Sequence, residues 1–298
     1  MKKPKKRPLI IIILSITLLL FIVLFMNKLP QQPQIAVIPI NGVIITQSSS
    51  FLPGNEALSP IIISHIENAD KNPQVKGILL EINSPGGTVL ASKEIAEAVK
   101  KTKKPTVALI TEIGTSGAYW VASASDKIIA DPLSITGSIG VIGSYLEFSG
   151  LLDKYGITYQ QLISGSQKDI GSPYKPLTPE EKAVLQQRLN TIYDYFIKDI
   201  AKNRNLPESE VRNLATGIFY LGEQAKTLNL IDELGNKETA ISELKELAGI
   251  KEARLVTYST KPSIFDKLSK LSSLNFYYLG KGIGSEITNL NQKLEITV

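Results

Sequence analysis

Two short apolar runs, each closing on glycine, constrain this chain more than any other feature. The first is a strand candidate from Val75 to Ile82, and it runs into Asn83-Ser84-Pro85-Gly86-Gly87. The second, Thr106 to Thr111, runs through Glu112-Ile113-Gly114 into Thr115-Ser116-Gly117-Ala118-Tyr119-Trp120. Between them, Ala91 to Val99 carries Ile95, Ala96 and Val99 at helical spacing and ends on the basic run Lys100 to Lys104 before Pro105. Lysines there complement the partial negative charge of a helix C-terminus, so the run needs no binding role. Short apolar runs bounded by turn signals and separated by helical periodicity describe an α/β core of right-handed crossovers.

The alternation continues on both sides. Ile35 to Ile40 and Val43 to Ile45 read as strands around Asn41-Gly42, and Ser48 to Asn55 as a loop. Ile61, Ile62, His65, Ile66 and Ala69 fit one face of a helix from about Ser59 to Ala69, with His65 on the apolar side. Asp126 to Ala130 is a further strand, followed by Thr136-Gly137-Ser138-Ile139-Gly140-Val141. Asp153 to Ile157 reads as a helix end closed by Gly156, and Ser164 to Pro173 as a polar loop. Thr178-Pro179-Glu180-Glu181 is a capping box with proline at the first helical position. The helix it starts runs to about Lys202, and its stripe from Leu185 to Ile200 suits core or a subunit interface. Shorter pieces follow: helices over Pro207–Leu214, Gly222–Leu228 and Ala240–Ala248, and strands over Ile218–Tyr220 and Arg254–Tyr258. Beyond Lys261 the pattern is loosely specified.

Charge and hydropathy divide the chain. The formal net charge is +5, and Lys2, Lys3, Lys5, Lys6 and Arg7 supply all of it, leaving 28 basic residues against 28 acidic ones. A basic nucleic-acid face therefore has no compositional support. Leu9 to Met26 follows without a charged side chain. At about 1.5 Å per residue its helix would be roughly 27 Å long, enough to cross a bilayer core. The flanking charges put the N-terminus in the cytoplasm and the remainder outside it. A cleaved signal peptide is the competing reading. Against it, the run is long for such a segment and leads into Asn27-Lys28-Leu29-Pro30-Gln31, with no small-x-small cleavage site. The organisation expected is a basic tip at 1–8, a single-pass transmembrane anchor at 9–26, a linker at 27–34, one folded domain at 35–250, and a C-terminal strand and tail at 251–298.

Ser116 lies among small residues at the end of a β-like run, where a sharp strand-to-helix turn can present a hydroxyl to a carbonyl. The same composition also suits tight helix packing. There is no cysteine and one histidine, His65. This excludes disulfides, thiolate chemistry and zinc sites built on several histidines, and any Ser-His-Asp triad would have to use His65. His65 also reads as an ordinary packed histidine. Gly86-Gly87 and Gly117 follow two neighbouring strands, so the amides of Gly87 and Gly117 are candidates for an oxyanion hole. Lys168, taken alone, reads as a solvated loop lysine.

Taken together, Asn83 to Gly87, Thr115 to Trp120, Thr136 to Val141, Ser164-Gly165 with Lys168-Asp169-Ile170, and Gln224-Ala225 with Leu230-Ile231-Asp232 closely resemble the signal peptide peptidase A family (protease IV) in its short bacterial form. The resemblance covers roughly Ile35 to Leu247. It implies a crotonase/Clp-protease-like α/β fold of repeated ββα units, and a serine endopeptidase with a Ser–Lys dyad and no cofactor. Ser116 matches the nucleophile, Lys168 the general base, Ser138 the serine that supports the lysine, and Gly87 and Gly117 the oxyanion amides. It further implies a homo-octamer held at the cell (inner) membrane through residues 9–26, with the lysine supplied by a neighbouring subunit. The substrates implied are cleaved signal peptides and other unfolded apolar polypeptide outside the cytoplasm, with no nucleic acid. Ala118 stands where many members have glycine, and Ile218 where arginine is common. The rival readings are an acyl-CoA enzyme using the same amides on a thioester, and an inactive scaffold of the same fold.

Overall fold

The computed structural model describes residues 32–48 and 56–259. The anchor expected at 9–26, most of its linker, most of the loop expected over 48–55 and the tail from 260 lie outside the described residues. Among the described residues no helix is long and apolar enough to cross a membrane.

The first half of the chain runs β1 (Gln34–Asn41), β2 (Val43–Ile45), β3 (Glu56–Leu58), α1 (Ser59–Lys71), β4 (Val75–Ser84), α2 (Val89–Lys101), β5 (Thr106–Thr115), α3 (Gly117–Ser123), β6 (Lys127–Ala130) and β7 (Ile135–Gly137). Then come α4 (Ser149–Lys154), α5 (Pro179–Arg204), α6 (Glu208–Leu214), β8 (Phe219–Leu221), α7 (Gly222–Thr227), β9 (Glu233–Leu234), α8 (Lys237–Leu247) and β10 (Arg254–Thr257). Six strands form a parallel sheet in the order β10-β1-β4-β5-β6-β9. This is the α/β core expected from the alternation of runs.

Both faces of the sheet are covered, which is why its strands read as continuous apolar runs. Ala36, Ile38, Ile40, Ile78, Leu80 and Ile82 share one core with Ile62 and Ile66 of α1, Ile95 and Val99 of α2, Trp120 of α3 and Phe196 of α5. The alternate residues Ile35, Val37, Leu79, Val107 and Leu109 meet Ala240 and Leu244 of α8 on the other face. Strand alternation thus assigns neighbouring residues to opposite layers.

β5 departs from the expected boundary. The sequence reading ends it at Thr111, but the strand continues to Thr115. Ile82 pairs with Ile110 and Ser84 with Gly114, so β5 spends four residues where β4 spends two. The surplus bends β5 away from β4. Its last residues pair instead with β7, Ile113 with Ile135 and Thr115 with Gly137, and β7 pairs antiparallel with β8. β3, β7 and the two-residue β9 were not read as strands, because none of them forms an apolar run in the sequence.

The capping box of α5 is present: the Glu181 N–H donates to Thr178 Oγ1 at 3.2 Å, and the Thr178 N–H donates to Glu181 Oε2 at 3.0 Å. The last turns of α5 bury Phe196, Ile197 and Ile200, whereas Leu185 and Leu189 nearer its start are only half-buried. The segment leading into α5 is more open still. Ile142 is 91% exposed, Leu146 73% and Leu162 fully exposed.

Candidate active site

Ser116 is the single residue between the end of β5 and the start of α3. Its backbone turns sharply, with φ 53° and ψ −124°. Its N–H donates to the Gly137 C=O at 2.8 Å, and its own C=O accepts from the Trp120 N–H at 3.0 Å, so the turn is held from both sides. A left-handed φ costs a non-glycine residue about 1–3 kcal/mol and persists only where the surroundings over-determine it. Among the described residues, Ser116, Ser138, Asn205 and Asn229 are the non-glycines with positive φ. The two asparagines close helices, where that conformation is ordinary. The two serines line one cleft.

The neighbouring turn after β4 brings Gly87 to Gly117. The Ile44 N–H donates to the Gly86 C=O and the Ile44 C=O accepts from the Thr88 N–H, both at 2.8 Å. In such a parallel bridge the flanking residues make the bonds, so the N–H of Gly87 itself points away from Ile44. Gly117 is the first residue of α3, where the N–H has no intrahelical acceptor. The Gly87 nitrogen lies 3.4 Å from the point where a Cβ on Gly117 would sit. The two amides are therefore close, and no side chain on either glycine covers them. β4 and β5 lie side by side and both run toward this end, which is what lets two sequence-distant turns meet.

The cleft has a volume of about 320 Å³, and Val89, Val141, Ile142, Trp120 and Phe196 give it apolar walls. Trp120 and Phe196 are stacked, with ring centroids 4.5 Å apart and planes 17° apart, and each is only 2% exposed. The Trp120 indole N–H donates to Asp199 Oδ2 at 3.1 Å, which fixes the ring. Ser138 donates its hydroxyl to the Gly217 C=O at 3.0 Å. The Ser116 hydroxyl makes no hydrogen bond to the described residues.

Among the described residues lining the cleft, none carries an ionisable side chain. Of the residues singled out from the sequence, Ser116, Ser138, Gly87 and Gly117 come together there, and Lys168 does not. Lys168 is exposed, in the turn-rich loop where the sequence reading put it. His65 is elsewhere: it is half-buried on α1, its ring edge-on to Tyr258 at 6.3 Å, and burial pushes its pKa down from 6.5. The stacked Trp120–Phe196 floor was not read from the sequence, since the two residues lie on α3 and α5, far apart along the chain. A roomier groove of about 480 Å³ opens by Lys100, Lys103 and Lys104, near the start of β5 and away from this site.

Residues 98–251 match Peptidase family S49, and residues 44–132 match the Clp protease family. A protein of Methanocaldococcus jannaschii, provisionally named a protease, is 38% identical over 243 residues, covering 81% of this chain and 76% of its own. An Enterococcus faecium protein, provisionally named signal peptide peptidase SppA, is 36% identical, covering 78% of this chain and 69% of its own. Protease 4 of Salmonella typhi is 34% identical over 78% of this chain and 37% of its own, longer length. The two family matches together include the segments carrying Gly87, Ser116 and Lys168. The chain belongs to Peptidase family S49 and is an SppA-type serine peptidase.

Proposed function

We propose that this peptidase completes its active site across two copies of the chain, with Ser116 of one copy and Lys168 of another forming a Ser–Lys dyad. The observation that carries the reading is the composition of the cleft: a strained serine and two neighbouring glycine amides, with no ionisable side chain among the described residues that line it. The base has to come from elsewhere. Lys168 stands on a segment whose exposed Ile142, Leu146, Tyr155 and Leu162 suit burial against another subunit. Family resemblance supplies the count of eight subunits.

In this mechanism the scissile carbonyl oxygen sits between the amides of Gly87 and Gly117. Ser116 Oγ bonds to the carbonyl carbon while the Lys168 amine takes its proton. The two N–H groups stabilise the resulting oxyanion, an effect worth several kcal/mol when the donors are preorganised. As the C–N bond breaks, the lysine ammonium returns that proton to the leaving amine. Water then attacks the acyl ester while Lys168 takes its proton. As the bond to Ser116 Oγ breaks, the lysine ammonium returns that proton to the serine and the carboxylic acid product leaves. Lys168 must be neutral to act, although a free lysine has a pKa of about 10.4; burial in the assembly disfavours its charged form. Ser138 gives its proton to Gly217, so its lone pairs are free to accept from the lysine.

The apolar walls suit unfolded apolar polypeptide, and remnant signal peptides are the substrate class the relatives' names suggest. Residues 9–26 are proposed to anchor the chain in the cell membrane, with the N-terminus cytoplasmic and the catalytic domain outside. Neither a cofactor nor nucleic acid has a part in the proposal. Mixing two inactive variants tests it. Ser116→Ala retains a good Lys168 and Lys168→Ala a good Ser116, so co-assembly should restore cleavage of an apolar peptide. Activity in either variant alone, or none in the co-assembled mixture, would refute a dyad formed across copies.

A further inference from the structure

Lys168 is followed directly by a carboxylate, Asp169. An aspartate free to reach the base would pair with its ammonium form and hold it protonated. The structure shows where that carboxylate goes. Asp169 Oδ2 lies 2.6 Å from Lys175 Nζ, which also lies 2.7 Å from Glu181 Oε1. The Asp169 and Glu181 side chains are 8% and 10% exposed, in a segment that is otherwise open. Glu181 is itself immobilised, because its other oxygen caps the start of α5. The ion chain therefore pins the loop beside Lys168 to the first turn of that helix. Asp169 Oδ1 is buried with no hydrogen-bond partner among the described residues, and Lys175 is the cation recorded against this carboxylate.

We propose that Lys175 is a positioning residue that holds the Asp169 carboxylate away from Lys168, so that the base next to it can be neutral. The inference rests on Lys168 being the base. The charged groups recorded around Asp169 are Lys175 and, on α5, Glu181, with the neutral Gln161 also close. Hydrogen bonds to Asp169 and then Glu181 push the Lys175 pKa up, so Lys175 keeps its charge at pH values where Lys168 must lose its own. Without that cation, the loosened Asp169 would turn to the nearest ammonium on its own loop. A carboxylate within about 4–6 Å raises a lysine pKa by about 1–3 units.

The test is kcat/KM against pH for cleavage of a fluorogenic apolar peptide by the full-length assembled protein. In Lys175→Met the acid limb should move up by about 1–3 pH units. Lys175→Arg should keep the wild-type limb. Asp169→Asn should show no upward shift, and Asp169→Asn combined with Lys175→Met should return the limb to its wild-type position. A merely structural tie would lower kcat at every pH and leave the limb in place, which overturns the proposal. A double variant as shifted as Lys175→Met alone also overturns it, because the shift would then not come from Asp169. If Lys175→Met does not assemble, Lys175→Gln removes the cation while keeping a polar side chain at the site, and an unmoved limb there has the same meaning. Full activity in Lys168→Ala would instead defeat the underlying reading of the base, so the two failures are separable.

Discussion

The Ile44 carbonyl oxygen stands 1.8 Å from the point where a Cβ on Gly87 would lie. Only glycine can make this bridge, and the bridge holds the Gly87 nitrogen close to Gly117 with its N–H turned away from Ile44. Alanine at 87 must push one of the two segments aside and take the amide with it. The expected loss in kcat is about 10²–10³-fold, roughly the effect of removing one oxyanion donor. Steady-state kinetics with a parallel unfolding curve would check it. Wild-type kcat in a folded Gly87→Ala protein would remove this amide from the proposed mechanism.

Ser116 should be a site where activity opposes stability. Ser116→Ala and Ser116→Gly both remove the hydroxyl and should both be inactive. Glycine alone also relieves the φ of 53°. Strain relief of about 1–3 kcal/mol outweighs the roughly 0.4–1 kcal/mol that glycine costs through the unfolded chain. The glycine variant should therefore unfold about 2–4 °C above the alanine variant in a chain of this size. An alanine variant that melts at the higher temperature would show that the turn stores no strain.

What could be read from the sequence was what neighbouring residues decide among themselves. Thr178 to Glu181 is a capping box because its bonds span three positions, and Gly156 and Gly249 close helices for equally local reasons. The extension of β5 to Thr115 was not legible, because it depends on pairing with β7, which is itself held by β8 from more than eighty residues on. Ser116, Gly87 and Gly117 could be proposed from small residues after strands. Their convergence follows from β4 and β5 being adjacent, which no local pattern encodes. Lys168 marks the other limit: its loop was readable, but one chain does not bring it to Ser116.

The Trp120–Phe196 stack should limit how large a side chain the cleft accepts beside the cleaved bond. Phe196→Leu keeps an apolar filler but removes the ring that stacks on the indole. The expected destabilisation is about 1–2 kcal/mol, from lost volume and the lost aromatic pair. Selectivity should move toward larger apolar residues, read as the ratio of kcat/KM for peptides carrying phenylalanine or alanine at that position. An unchanged ratio would mean that the substrate side chain does not approach the stack.

His65 should set how folding stability responds to pH near neutrality. It is the chain's one histidine, and burial on α1 pushes its pKa below 6.5. The folded state therefore binds fewer protons than the unfolded state once the pH drops toward 6.5. Stability then falls with decreasing pH and levels off only below the folded pKa. This is opposite in sign to a histidine held by a carboxylate, whose pKa rises on folding. Urea unfolding between pH 8 and 5 should show this decline in the wild type and a shallower one in His65→Gln, which cannot take up the proton. Parallel curves for the two proteins would mean that His65 titrates alike in the folded and unfolded states, and that its packing against Tyr258 carries no cost for the charged ring.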